Sequence, residues 1–123
     1  MTEPLFTTQD QAIDVATEFF DHCMDTFLKK NDGYADAVHT QDVLRNFRAG
    51  AAKYGITMHQ YASIMRGKHE THWDTFVSGG VISDKPWRIL KDRIVYSIIE
   101  YLIALDNELW NHDEVKADVE EGN

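Results

Sequence analysis

Nine apolar side chains recur at close to the helical period between residues 8 and 30: Ala12, Ile13, Ala16, Phe19, Phe20, Cys23, Met24, Phe27 and Leu28. Such a row folds as an amphipathic helix, because i, i+3, i+4 and i+7 side chains share one face. Thr8 is placed to cap its start and Asp10 lies in its first turn. Lys29 and Lys30 suit its negative end, and Asn31-Asp32-Gly33 is expected to stop it. Gly33 to His39 then reads as a loop.

Three further segments repeat the pattern. A helix from a Thr40 cap to Lys53 turns Val43, Leu44, Phe47 and Ala51 inward and ends at Gly55. Thr57 caps a third, whose core side carries Met58, Tyr61, Ala62, Met65, His69, Trp73, Phe76 and Val77, and Ser78-Gly79-Gly80 closes it. Ser83 or Asp84 starts a fourth, with Pro86 in its first turn, and the long apolar run from Trp87 to Trp110 belongs at the centre of the fold. Strand-like alternation is confined to a Phe-Val-Ser-Gly-Gly-Val-Ile stretch that glycines interrupt. The expected class is all-α, a four-helix bundle-like protomer over residues 1–111. An acidic tail over 112–123 is expected to fray, since it holds five acids and one lysine.

Composition limits the functions open to such a bundle. With 43% apolar and 11% aromatic residues among 123, one domain can bury a core without disulfides. Twenty-one acids against twelve bases leave a net charge of -9, which opposes a duplex nucleic-acid surface. A free nucleotide stays open, because carboxylates can hold a divalent metal that supplies the positive charge. The single cysteine, Cys23, excludes an intramolecular disulfide and multi-cysteine zinc patterns. No stretch approaches the ~18 apolar residues of a membrane span, and the start of the chain lacks a leader pattern, so an intracellular, cytoplasmic protein without a membrane partner is expected.

The most specific local feature is Asp14, Glu18, Asp21 and Asp25, spaced by four, three and four on one stripe of the first helix. Like charges at these spacings repel by a few tenths of a kcal/mol per pair, and no Lys or Arg shares the stripe. A magnesium or manganese ion would turn that repulsion into ligation; the alternative is a solvated acidic face. Glu100 lies among Ile94, Val95, Ile98, Ile99, Tyr101, Leu102 and Ile103 on the track Arg93, Ser97, Glu100, Ala104. It either emerges at a groove or is buried, needing a metal or a Lys, Arg or Tyr from another helix. Lys68 suits a phosphate, Trp73 a stacked base, and His69 a pocket rim. Tyr34 and His39 suit a pocket mouth. Phosphate-loop, nucleophile-elbow and zinc-protease patterns are missing.

In order, Lys30-Asn31-Asp32-Gly33-Tyr34-Ala35, Asn46-Phe47, Lys53-Tyr54-Gly55-Ile56, Lys68-His69, Asp92-Arg93-Ile94-Val95 and Tyr101-Leu102 resemble the small phage-encoded branch of the MazG-like all-α nucleoside triphosphate pyrophosphohydrolases. The likeness spans roughly residues 12 to 109. It implies four-helix protomers that associate, and a magnesium-dependent cleavage of a (deoxy)nucleoside triphosphate to monophosphate and pyrophosphate. It maps one carboxylate motif onto Glu18-Phe-Phe-Asp21, with Asp25 a turn further on, and the second onto Ser97-Ile-Ile-Glu100. Glu18, Asp21, Asp25 and Glu100 would then be metal ligands, and Glu18, Asp21 and Glu100 catalytic. Lys68, His69, Trp73 and Tyr34 would contact substrate. Serine stands where the family places its leading second-motif carboxylate. The other expectation is therefore a catalytically inactive MazG-like protein that binds a host protein or a nucleotide through its acidic helical surface. A homodimer covering Trp87 and Trp110 is expected on either view.

Overall fold

A computed structural model describes residues 3–34 and 43–122, with the backbone alone for 30–34. Among the described residues there are five helices and no strand: α1 (Gln9–Tyr34), α2 (Arg45–Tyr54), α3 (Met58–Val77), α4 (Pro86–Asp106) and α5 (His112–Glu120). None is long and apolar enough to cross a membrane.

Two of the expected caps form, at Thr8 and Thr57. The Thr8 hydroxyl accepts from the Gln11 amide at 3.3 Å while Gln11 Oε1 accepts from the Thr8 amide at 3.2 Å. Thr57 and Gln60 make the same reciprocal pair at 3.0 and 2.9 Å, so two orphan donors are satisfied at each start. At the end of α2, Gly55 sits at φ 66°, with its amide directed to the Ala52 carbonyl and that of Ile56 to Ala51. This is the left-handed closing turn that glycine accepts without a Cβ clash.

α4 is the centre. It packs most extensively on α3 and also on α1, while α2 packs on α3. Ile89, Val95, Ile99, Ile103 and Ala104 of α4 are buried. Cys23, Leu44, Ala62, Val95, Ile99 and Ile103 form one cluster, with Phe19, Phe27, Phe47 and Tyr96 against it. Each fully buried aliphatic side chain contributes about 1.5–3 kcal/mol. Phe47 ties three helices together, meeting Tyr61 edge-on at 5.8 Å and Tyr96 at 6.2 Å. α2 reaches Tyr61 because residue 50 is glycine: a Cβ there would run into the Tyr61 ring. On the outside, Arg48 of α2 grips Asp106 of α4 through two parallel bonds of 3.0 and 2.8 Å. That guanidinium holds the Asp106 carboxyl below its ordinary pKa, chiefly through the hydrogen bonds.

Five sequence expectations need correction. α4 begins at Pro86 with Lys85 before it and no side-chain cap, rather than at Ser83 or Asp84, because proline is favoured in a first turn. α1 continues through Asn31-Asp32-Gly33 to Tyr34, because extending an established helix by weak formers costs far less than nucleating one. Residues 35–42, and with them His39 and the Thr40 cap, lie outside the described residues, and α2 begins at Arg45. α4 stops at Asp106 rather than Trp110: Asn107 caps it, Glu108 takes φ 59°, and the Leu109 amide returns to the Ala104 carbonyl. The segment expected to fray forms α5, begun by the Asn111 side chain accepting from the Glu114 amide at 2.9 Å. Its base is fastened to α4, where the Tyr101 hydroxyl meets His112 Nδ1 at 2.9 Å and the Trp110 ring lies 6.0 Å from that of Tyr101.

This packing predicts two outcomes. Ile103→Ala should lower unfolding free energy in urea by about 2–4 kcal/mol, the cost of a core cavity, whereas Ile64→Ala, with 57% of its surface exposed, should change it by about 0.5 kcal/mol or less. Because the folded pKa of Asp106 is depressed, its contribution is complete above about pH 4 and lost as pH falls through the folded value. The stability difference between wild type and Asp106→Asn, measured by thermal melts from pH 6 to pH 2, should therefore shrink only on the acid side.

Candidate functional site

Among the described residues α1 packs principally against α4, which covers only a strip of it. Cys23 fills that strip and is fully buried, with Phe19 and Phe27 partly buried beside it. Burial pushes the Cys23 thiol above its ordinary pKa, Lys91 opposing and Asp92 reinforcing the shift; such a thiol is packing, not a nucleophile. Ile13, Phe20 and Leu28, expected inside, remain 50%, 52% and 54% exposed. The apolar arc of α1 is wider than the surface offered to it. Asp14, Glu18, Asp21 and Asp25 lie beyond this stripe and are all exposed.

Glu100 has a different fate. It is partly buried on α4, and both its oxygens lie on one nitrogen, Nη1 of Arg66 from α3, at 2.7 and 2.5 Å. Arg66 also sets its Nε 3.1 Å from Glu70 Oε1. Of the partners open to Glu100 from sequence, the structure supplies a cation from another helix. Sequence reasoning missed Arg66, although a signal existed: Arg66 and Glu70 stand four apart, next to the Ala62, Met65, His69 core side of α3. Ser97, at the leading position of the second motif, donates its hydroxyl proton to the Arg93 carbonyl at 3.0 Å.

The other expected site residues are scattered. Lys68 is exposed. His69 is partly buried, its Nδ1 3.8 Å from Asp92 Oδ2 and its ring 5.3 Å from that of Tyr96. Trp73 rests on Phe76 at 5.6 Å. Tyr34 ends α1, its side chain outside the described residues. An open groove of about 430 Å³ between α1, α3 and α4 is lined by Phe19, Arg66, Glu70, Leu90, Arg93, Ile94 and Ser97. It takes in none of Glu18, Asp21, Asp25, Lys68, His69 or Trp73. Among the described residues, no three His, Cys, Asp or Glu side chains stand together so as to hold a metal ion.

The arrangement therefore gives Glu100 a structural partner and leaves α1 with an uncovered apolar stripe beside its acids. Removing Glu100 leaves half-buried Arg66 with Glu70 as its remaining carboxylate, so Glu100→Ala should cost about 1–3 kcal/mol in chemical denaturation, between the ranges for exposed and fully buried pairs. The Arg66→Met/Glu100→Leu double variant should recover part of that loss, as measured by a double-mutant cycle. No protein-family model, curated protein or solved structure matches this chain.

Proposed function

We propose that this chain is a non-hydrolysing helical binding protein, a MazG-like bundle whose α1 surface engages a protein partner. The observation that carries this reading is the Arg66–Glu100 pair. The carboxylate that the second motif would offer to magnesium is spent on a guanidinium, at 2.7 and 2.5 Å, and the motif's other end is a serine bonded to its own helix. A divalent ion at Glu100 would have to displace Arg66, which would lose this ion pair and keep only Glu70 as a carboxylate partner. A surface of α1 is meanwhile left free, with Phe20 52% exposed in a helix whose next turn, at Cys23, is fully buried. Large apolar side chains held out of the core beside charged neighbours are the ordinary makings of a contact surface.

The competing reading is magnesium-dependent cleavage of a nucleoside triphosphate by Glu18, Asp21, Asp25 and Glu100. It makes a different demand on the same residues, namely that Glu100 serve the ion rather than the fold. Pyrophosphate release from the eight common ribo- and deoxyribonucleoside triphosphates, assayed with magnesium and with manganese, should stay at the blank. Typical enzymes turn over at about 1–1,000 per second, far above what such an assay detects. Magnesium titration by calorimetry should be the same for wild type and Glu100→Gln. Pyrophosphate release abolished by Glu18→Ala or Glu100→Gln would overturn the proposal.

A further inference from the structure

The uncovered side of α1 is patterned on a fixed rule. Ile13, Thr17, Phe20, Met24 and Leu28 succeed one another at steps of four, three, four and four, which keeps them in one row along the helix. Asp14, Glu18, Asp21 and Asp25 each occupy the position immediately after one of these, so an acidic row runs parallel to the apolar one. Ile13, Phe20 and Leu28 are half exposed, Met24 is partly buried, and all four acids face solvent. On the other side of the stripe, Cys23, Phe19 and Phe27 meet the α4 core. Anything seated on the stripe therefore touches packed protein on one flank and four carboxylates on the other.

Resting on the binding-protein reading, we propose that this stripe seats a basic amphipathic helix of a partner protein. Its apolar side would lie on Ile13, Phe20, Met24 and Leu28, and its lysines or arginines along Asp14, Glu18, Asp21 and Asp25. The row from Ile13 to Leu28 is about 22 Å long at 1.5 Å per residue, which four turns of a helix match. A helix presents apolar anchors at the spacing this row repeats. Charge decides among occupants. A second copy brings another -9 and, in an antiparallel pairing of the two stripes, sets acidic row against acidic row. Phosphates of nucleic acid and of anionic membranes are repelled by the same carboxylates. A cationic helix gains from every one of them, and the four like charges lose their mutual repulsion.

The test uses fluorescein-labelled 18-residue peptides and the full chain, read by anisotropy. The first peptide is built of leucine at helical spacing and lysine elsewhere. The second has the same composition, in an order that spreads leucine around the helix. The third keeps the leucine spacing with glutamate for lysine. The first should bind in the micromolar range and the other two at least tenfold more weakly. Phe20→Ser should weaken the first peptide at least tenfold, and Asp21→Asn with Asp25→Asn about threefold to tenfold with a flatter salt dependence. Ile64→Ser, on an exposed face of α3, should leave binding unchanged, and circular dichroism should show all variants helical.

Equal binding of the second peptide, an equal loss in Ile64→Ser, or no binding of the first would overturn the proposal. So would a dimer in sedimentation that Phe20→Ser dissolves, since a second copy would then cover the stripe. Pyrophosphate release in the parallel triphosphate assay would instead refute the non-hydrolysing reading, whereas silence in both assays removes only the cationic helix.

Discussion

The fold depends on hiding α4 from water. Ile89, Val95, Ile99 and Ile103 recur along it with almost no accessible surface, and a helix apolar on most sides is stable only when other helices surround it. α3 does most of this covering and α1 part of it. α2 acts at one remove, holding α3 through Tyr61 and Phe47 and reaching α4 through the Arg48–Asp106 clamp. The small residues matter as much as the large ones. Ala62 and Cys23 are wholly buried, and Gly50 lets α2 come within reach of the Tyr61 ring.

A centre so apolar makes a carboxylate such as Glu100 expensive to hold. Glu100 lies one position after buried Ile99 and three before buried Ile103, where an ionised group without partners would cost several kcal/mol. Arg66 answers that cost from α3 and in turn draws on Glu70. The Glu70–Arg66–Glu100 array thus joins the two most closely packed helices at the edge of their contact. A string of letters does not say which partner answers such a carboxylate; here the structure supplies a guanidinium.

Much of the fold was legible along the chain because it is set by local rules. The Thr8 and Thr57 caps, the closing Gly55 and the helical spacing of four segments all act within a few residues of themselves. The errors fall where local signals were weak or in conflict. Asn31-Asp32-Gly33 is a poor helix former but not a barrier to an established helix. Glu108 adopts a left-handed turn that glycine would have advertised. Asn111 caps α5, and Asp113 and Glu114 then sit in its first turn, where negative charge favours a helix rather than fraying it. The candidate site was legible only in part: the acidic row of α1 was visible at once, while Arg66 and the uncovered stripe were not.

Amino-acid order alone determined that this chain is helical, where α1 and α3 begin, that α4 is central and that four acids of α1 share a stripe, because periodicity and capping need no knowledge of neighbours. Only the tertiary structure decided that Glu100 belongs to Arg66, thirty-four residues away, and that Ile13, Phe20 and Leu28 stay half in water. Both depend on which helix lies against which and on how much surface each can cover. Hydrophobic burial has no direction, so the same apolar residue suits a core or a contact surface until its neighbours are in place.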